Sequence, residues 1–384
     1  MSLFVVVLCL LLLILVSAMS QWKLLVLLTV LFTGAAVTLM WYNNKLNREN
    51  QDIAERKIET VHIVYGSEKR SLLKDLEFQE ILRKKHGLVI KGEKTDHLET
   101  PGQDLRSIDA FWPSANMAAS IFKSQHPDSQ YETKNIFNTP LVFYSWPKVT
   151  KFLVRHGVVK KKGHRYVMPD LSKFLRLGKR TWEDFRIPGL GGPIIFKSAD
   201  PAQSTAGLLT AGITLIALNR AEITDEKEAE AHLRGIRKIF GRMGKKESSA
   251  DILFSRYFKQ GQSKWPIIAA CENQVIEYYQ TFLRDQDKIR KNIRVLKPVP
   301  GVLSEHPLVA ITEKGKMLLT ALCDAEIQQL AWKKFGFRSG VADIENDPGD
   351  LKIIGLSEQA ETSVSMPSEQ VMRKVLGVIS TVGN

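Results

Sequence analysis

The sequence lacks the short motifs that mark common catalytic, metal and nucleotide sites. It has no HExxH, GxSxG, GxxxxGK[ST] or GxGxxG segment, which disfavours zinc peptidases, serine hydrolases, P-loop enzymes and dinucleotide-binding enzymes. Its eight histidines show no spacing typical of metal ligands. We therefore expect no catalytic residues, no metal site and no cofactor.

Cysteine is scarce. The three cysteines are Cys9, Cys271 and Cys323, and no CxxC pair occurs, so a zinc or thiol-redox motif is not indicated. No cysteine follows the apolar N-terminal runs at a position typical of a lipoprotein, so we expect no lipid anchor. Cys271 and Cys323 are either a disulfide or two free thiols.

Acidic residues are fewer than basic ones. The chain has 41 aspartates and glutamates and 54 lysines and arginines, which gives a formal charge of +13. Such a balance favours an anionic partner, whether a phospholipid surface, nucleic acid or a solute. The densest basic run, Lys160–Lys162 followed by Arg165, lies between Val158-Val159 and Tyr166-Val167. This setting is typical of a solvated β-turn between short strands, and we expect no nucleic-acid partner.

Two long apolar runs open the chain, Met1–Met19 and Leu24–Trp41, and each is just long enough to cross a bilayer as a helix. Residues 1–41 are therefore predicted to be a hydrophobic anchor of one or two transmembrane helices, and residues 42–59 a polar stalk. The two runs form a helical hairpin, or a cleavable signal followed by an anchor, or a single signal anchor whose true start is Met19.

The charges that flank the second run bear on membrane sidedness. Lys45, Arg48, Arg56 and Lys57 follow this run, and only Lys23 precedes it. By the positive-inside rule, this distribution would place the rest of the chain in the cytoplasm. The resemblance described below favours the opposite side of the membrane.

The rest of the chain alternates between strand and helix patterns. Val61–Tyr65 is a β-type run, a helical pattern follows from Leu72 to Leu82, and Leu88–Ile90 is the next strand. Further strands are predicted over 108–112, 141–146, 193–196, 267–271, 293–296 and 308–311, with helices over 117–123, 147–154, 204–218, 273–283, 317–335 and 369–379. This order indicates a doubly wound α/β sheet.

Several predicted strands end in Ser, Thr or Asn just before a helix. Ser67, Ser114, Ser145 and the pair Ser204-Thr205 all occupy such positions. A helix start leaves backbone N–H groups unpaired and carries partial positive charge, so several starts in one cleft would bind an anion or a polar solute. Each of these residues is also an ordinary N-cap, and the hypothesis therefore depends on the whole set.

A resemblance to a known family extends over most of residues 60–340. The chain resembles the type 2 periplasmic solute-binding proteins, the class that includes sulfate-, molybdate- and iron-binding receptors. The residues that carry the resemblance are IVYGSEKRSLLKD (63–75), DAFWPSANMAA (109–119), NTPLVFYSWP (138–147), TWEDFR (181–186), FKSADPAQSTAG (196–207), WPIIAACENQVIEY (265–278), SEHPLVAITEKGK (304–316) and AWKKFGFRSG (331–340).

The resemblance implies a type 2 periplasmic-binding-protein fold, in which two Rossmann-like α/β lobes are joined by a hinge. Lobe 1 would comprise 60–146 plus 297–384, and lobe 2 would comprise 147–296. Ligand would lie between the lobes; the implied ligand-binding residues are Ser67, Glu68, Trp112, Ser114, Ser145, Ser204, Thr205, Glu272 and Asn273. Glu68 and Glu272 would oppose a small inorganic anion unless they are paired or turned away.

Three functional hypotheses follow. In the first, the protein is no enzyme but a membrane-tethered solute-binding protein, which presents a small polar or anionic solute to a transporter permease or a sensor. It would belong to the inner (cell) membrane, with its soluble domain on the periplasmic or extracellular side. In the second, it is a membrane-anchored interaction protein without a small ligand. In the third, Glu68, Glu272 or His306 serve as acid or base in an enzyme on the same scaffold.

Overall fold

The computed structural model describes residues 21–55, 57–95, 98–101, 105–349, 351–357 and 362–382. The chain divides into two compact units, Met1–Ile58 and Glu59–Asn384. The first predicted apolar run, Met1–Met19, lies outside the described residues.

Helix α1, Gln21–Glu55, accounts for the described part of the N-terminal unit. It includes the second apolar run and continues through most of the predicted stalk, which is therefore helical. Within the described ranges, no helix combines the length and the apolar character needed to cross a membrane. The predicted transmembrane helix is thus not supported by the structure.

The second unit contains the predicted alternation of strands and helices. Its strands are β1 Glu59–Gly66, β2 Leu88–Thr95, β3 Ala110–Trp112, β4 Glu132–Ser145, β5 Lys160–Lys162, β6 Arg165–Met168, β7 Lys197–Ser198, β8 Ile267–Cys271, β9 Arg294–Pro298, β10 Leu303–Ala310 and β11 Arg338–Ser339. Its helices are α2 Arg70–Lys74, α3 Leu76–His86, α4 Asn116–Gln125, α5 Pro147–Arg155, α6 Leu171–Leu177, α7 Thr205–Asn219, α8 Glu226–Arg242, α9 Ala250–Lys264, α10 Asn273–Thr281, α11 Gln286–Asn292, α12 Glu313–Leu322, α13 Ala325–Phe335 and α14 Glu369–Ser380.

The first lobe forms around a sheet with strand order β2-β1-β3-β10-β4. Strand β1 is parallel to both β2 and β3, as the strand–helix–strand pattern predicted. Alternate β1 residues Val61, Ile63 and Tyr65 are buried in one hydrophobic cluster together with α3 and α13. A smaller cluster around Phe111 and Phe122 contains residues of β3 and α4. The two clusters match the layered packing of a doubly wound lobe.

The single helix predicted from Leu72 is divided in the structure. Asp75 has an extended backbone, and its carboxylate accepts a hydrogen bond from the Phe78 N–H, so it ends α2 and caps α3. Helix α3 ends at Gly87, which has a left-handed φ of 66°. The predicted helix 317–335 divides in the same way, because Asp324 caps α13 through the Glu326 N–H.

The second lobe has a separate and larger hydrophobic cluster. Strand β8 is buried at every position and pairs with β4 and β7. Helix α7 is buried on nearly all sides, as its continuous apolar sequence predicts. The residues predicted as a strand, 193–196, form none; the short β7 begins just after them, at Lys197. The sequence patterns did not predict α9.

Strand β4 connects the two lobes. Its first part, up to Pro140, pairs with β10, and its last part, Leu141–Ser145, pairs with β8. A second connection runs from the end of β9 to the start of β10. Strand β4 and the β9–β10 connection therefore run between the two lobes, and their role as the hinge stays a prediction.

The C-terminal helix α14 departs from the predicted division into lobes. Its buried residues Val371, Met372, Val375 and Ile379 belong to the cluster of the second lobe, together with Leu351, Ile353 and Leu356. The expectation that all of 297–384 joins the first lobe is therefore corrected for this C-terminal part. The remaining boundaries of the two lobes stay predictions.

The basic run Lys160–Lys162 forms an edge strand. It pairs with β6 in a hairpin whose turn contains Gly163 and His164, and all three lysines are exposed. The structure agrees with the predicted solvated hairpin, although the lysines lie in the strand and not in the turn. Lysines on an edge strand also discourage pairing with strands of other molecules.

Candidate ligand-binding site

A cavity of about 420 Å³ lies between the two lobes. Residues of both lobes line it. Those from the first lobe are Ser67, Glu68, Arg70, Ser71 and Lys94, and those from the second are Gln203, Ser204, Ser248, Ser249, Ala250, Asp251, Ile252, Gln274 and Glu277. Three of the predicted site residues, Ser67, Glu68 and Ser204, thus lie at one cavity.

Three helices of the second lobe begin at this cavity. Ser204 and Ser249 are the N-cap residues of α7 and α9, and neither side chain caps its helix by a hydrogen bond. Gln274 lies in the first turn of α10, which also lacks a side-chain cap. The amino ends of these helices therefore keep backbone donors and partial positive charge available to a polar guest.

Two lining residues have little exposed surface, and their side chains form no hydrogen bond in the described protein. Ser204 is 5% exposed and Gln274 is 8% exposed. Their polar atoms are not fully enclosed, because neither residue is among those whose buried side-chain atoms lack a partner, so these atoms are open to the cavity. An unpaired hydroxyl and an unpaired amide facing one cavity are what a binding site for a polar solute requires.

Both signs of charge line the cavity. Arg70 and Lys94 come from the first lobe, Asp251 and Glu277 come from the second, and Glu68 is partly buried at the interface. Burial raises the pKa of Glu277, and nearby Asp251 raises it further, while Ser71 opposes the shift. The cavity is therefore polar and mixed in charge, and it does not have the uniformly positive lining that would favour a simple anion.

A buried polar cluster lies behind Glu68. The Ser114 hydroxyl donates to the Glu68 carboxylate and accepts from the Lys69 ammonium, whose nitrogen is 2.9 Å away. Burial lowers the pKa of Lys69 to about 7, although the Glu68 carboxylate opposes this. Burial alone would raise the pKa of Glu68, but Lys69, Ser114 and nearby Thr205 lower it below its usual value.

This cluster removes two predicted ligand contacts from the cavity. Ser114 is fully buried, and its hydrogen bonds go to Glu68 and Lys69. Trp112 is also fully buried, with its indole N–H donating to the carbonyl of His306 at 3.2 Å. A Cβ on Gly66 would lie 2.2 Å from the Ser114 hydroxyl, so glycine permits this close packing. Ser114 and Trp112 support the site from within.

Glu272 belongs to a separate buried ion cluster. Its carboxylate lies 2.5 Å from Nε of Arg338 and 2.9 Å from Nζ of Lys297. Burial would raise the pKa of Glu272, but the two cations outweigh it and lower the pKa to about 2. Glu272 is thus turned into the protein and paired, so it does not face a ligand. Its neighbour Asn273 is 2% exposed and packs against Gly336.

Ser145 lies far from the other predicted residues. It pairs with Ile267 at the start of β8, whereas Leu141 pairs with Cys271 at the end of the strand. Four residues of strand separate these positions, which is about 13 Å. The cavity lies at the Cys271 end, where α10 begins, so Ser145 does not join it. The sequence argument erred here because it assumed that β4 ends at the cleft, whereas this strand runs through the hinge into the second lobe.

The enzyme hypothesis loses two of its three proposed acid–base groups, His306 and Glu272. His306 is 1% exposed, and its Nε2 lies 3.1 Å from the hydroxyl of Thr139. Burial lowers the pKa of His306 well below its usual value, and the Lys69 ammonium lowers it further. Neither His306 nor Glu272 lines the cavity.

Sequence reasoning missed six charged or amide residues at the cavity: Arg70, Lys94, Gln203, Asp251, Gln274 and Glu277. A signal existed for one group, since Ser248-Ser249-Ala250-Asp251 is a typical helix start. In the described residues, no group of three or more His, Cys, Asp or Glu side chains could hold a metal ion.

The chain was compared with known proteins. No protein-family model matches it, and no curated protein matches its sequence. Solved structures do match: the substrate-binding protein of an ABC transporter from Agrobacterium tumefaciens is 10% identical, with a TM-score of 0.52 over 85% of this chain and 95% of that chain.

Two further matching structures are of proteins named as ferric-ion-binding proteins. A Bordetella ferric binding protein is 10% identical, with a TM-score of 0.53 over 84% of this chain and 98% of that one. The apo ferric ion-binding protein A of Pasteurella haemolytica is 12% identical, with a TM-score of 0.53 over 84% and 96%. All three are described as binding proteins and not as enzymes. This chain shares the α/β fold of these substrate-binding proteins.

Proposed function

We propose that this protein is a solute-binding protein that holds one small polar solute in the cavity between its lobes. The observation that carries the proposal is that two largely enclosed side chains without a protein partner, Ser204 and Gln274, line a cavity where three helices begin. A bound solute would form hydrogen bonds with these groups and with the backbone donors beside them, in place of solvent.

The arrangement also explains how binding would change the conformation. Ser67 and Arg70 come from the first lobe, while Ser204 and Gln274 come from the second, so one guest touches both. A solute that contacts both lobes binds the closed form better than the open form and shifts the population toward closure. Strand β4 and the β9–β10 connection would serve as the hinge.

The proposal includes a membrane tether at the N-terminus. Helix α1 presents large apolar side chains to its surroundings, among them Phe32 at 78% exposure and Val37 at 66%. Such a surface is suited to contact with lipid or another apolar partner. With this tether the binding domain would work on the periplasmic or extracellular face of the cell membrane, and deliver its solute to an ABC transporter permease or to a sensor.

One observation favours a second candidate, the membrane-anchored interaction protein. Residues 147–186 contain twelve lysines and arginines against three acidic residues, and all twelve basic side chains are exposed. A surface of this kind attracts an acidic partner. A photoreactive residue at the hairpin position His164 would crosslink a partner in the native membrane if this candidate is correct, and no protein if it is wrong.

Thermal unfolding of the full chain in detergent tests the solute-binding proposal. We expect at least one member of a broad solute panel to raise the midpoint of unfolding, because a ligand that binds only the folded state stabilises it. Ser204→Ala should remove much of this increase and leave the ligand-free midpoint unchanged, since the hydroxyl has no partner in the free protein. Ser263→Ala, on the exposed face of α9, is the matched control. Absence of stabilisation by every solute would refute the proposal.

A further inference from the structure

We infer that the solute is a small, non-aromatic zwitterion, whose ammonium group is held by Asp251 and Glu277 and whose anionic group is held by Arg70 and the amino end of α7. This inference rests on the proposed function and assigns the chemical class of its solute.

The ammonium group of the solute is inferred from two carboxylates that have no counter-ion in the described protein. Asp251 and Glu277 both line the cavity, and neither forms an ion pair with a lysine or arginine of the described protein. Burial raises the pKa of Glu277, and Asp251 adds to this rise, as expected of two carboxylates that line one cavity. A positive charge between them would stabilise both carboxylates.

Two other carboxylates of the second lobe form the ion pairs that Asp251 and Glu277 lack. Glu247 lies 2.7 Å from Arg256, and Glu272 is held by Arg338 and Lys297. The protein itself therefore pairs Glu247 and Glu272. Asp251 and Glu277 have no such ion pair, and a guest in the cavity can supply the charge.

The requirement for a negative group comes from Arg70 and α7. Arg70 is exposed at the cavity and forms no ion pair with Asp251 or Glu277 within the described ranges. On the opposite lobe, α7 begins with an unpaired Ser204 hydroxyl and presents its free backbone donors. A guanidinium and a helix amino end together are suited to a carboxylate or phosphonate.

Size and lining restrict the solute further. None of the lining residues is aromatic, and the apolar ones are Ala250 and Ile252 alone. A cavity of about 420 Å³ is at the small end of ligand sites, which span roughly 300–1,000 Å³. A solute that needs ring stacking or a large apolar surface would find no partner here. The absence of a three-ligand cluster from the described residues also favours an organic cation over a metal ion.

Isothermal titration calorimetry of the full chain in detergent tests the inference with matched probes. The first set is γ-aminobutyrate, butyrate and n-propylamine, and the second is 2-aminoethylphosphonate, ethylphosphonate and ethylamine. Within a set, the members differ only in which charged group is present. We expect at least one zwitterion to bind about tenfold or more tightly than both of its single-charge analogues, since each analogue loses the charge-assisted hydrogen bonds of one group.

Two substitutions locate the ammonium group. The double variant D251N/E277Q keeps the shapes of both side chains and removes their charge. It should weaken the preferred zwitterion about tenfold or more, and leave its anionic analogue unaffected, because only the zwitterion uses these carboxylates. The control is D128N/E132Q, which neutralises two exposed carboxylates outside the cavity and should change neither affinity.

Each other outcome overturns the inference in a distinguishable way. If a simple anion or amine binds as tightly as its zwitterion, or if D251N/E277Q leaves the zwitterion unaffected, the inference fails while the proposed function stands. If no zwitterion binds although another solute stabilises the protein, the same conclusion follows. If no solute of any class binds, both the inference and the proposed function fail.

Discussion

At the scale of single residues, the buried Glu272 is a position where the folded protein depends on charge pairing. It comes from the end of β8, while Lys297 is in β9 and Arg338 in β11, so one carboxylate joins three strands. Removing one member of such a cluster leaves buried charge without a partner, which costs more than the cluster contributes. The sequence could not predict this cluster, because its members lie far apart along the chain.

Glu272→Gln should lower the free energy of unfolding by about 3 kcal/mol at neutral pH. The pKa of Glu272 is lowered from 4.5 to about 2, so its stabilising contribution is complete above pH 4.5 and is lost as pH falls toward 2. Urea unfolding should therefore show a difference between variant and wild type that shrinks over this range. A difference that stays constant down to pH 2 would show that charge is not the cause; E132Q serves as the exposed control.

Lys69 gives a prediction of opposite sign. Burial lowers its pKa from 10.5 to about 7, so between these values the unfolded chain binds more protons than the folded one. The wild type should therefore gain stability relative to Lys69→Met as pH rises from 7 toward 10, by roughly 3 kcal/mol at most. Urea midpoints at pH 7 and pH 9.5 measure this, and a constant difference between the two proteins would contradict the buried ammonium.

At the scale of elements, α7 shows what an apolar sequence pattern can and cannot predict. Its sequence predicted a buried helix over 204–218, and the structure places the helix at Thr205–Asn219. The pattern did not show what lies beside Gly207, where a Cβ would come within 2.7 Å of the Ala199 and Asp200 backbone. The cavity end of α7 is thus held close to the strand that precedes it.

Gly207→Ala should destabilise the protein by about 1–3 kcal/mol, because the methyl group must push two backbone segments apart. Gly377→Ala, in α14, is the matched control, since nothing lies within 4 Å of its Cβ position. The control should stabilise by about 0.5–1 kcal/mol through helix propensity alone. Chemical denaturation of both variants is the measurement, and similar effects at the two sites would show that close packing at Gly207 is unimportant.

At the scale of the whole molecule, the order of strands and helices was predictable and their long-range partners were not. The first lobe follows the predicted pattern because β1, β2 and β3 are parallel and joined by local helices. The long β4 was predicted only in its final part, since its polar first half gives no strong strand pattern. The position of α14 on the second lobe depends on packing with α8, which no local pattern reveals.

The residues of the cavity could be predicted from the sequence only in part. Ser67, Glu68 and Ser204 were predicted from helix starts and lie at the cavity, while their role in binding remains a prediction. Ser145 was misplaced because its strand crosses the hinge, and Ser114 and Trp112 are enclosed in internal contacts. The unpaired acids Asp251 and Glu277 could be recognised only after the partners of every neighbouring charge were known.

The central claim is that the interlobe cavity of the folded protein holds one small solute. Native mass spectrometry of the full chain, released from detergent without denaturation, measures this most directly. We predict one small adduct per chain, lost when the protein is unfolded and strongly reduced in the double variant S204A/Q274A. A wild-type protein that carries no adduct after incubation with the solute panel, or an adduct that the double variant keeps in full, would contradict the account.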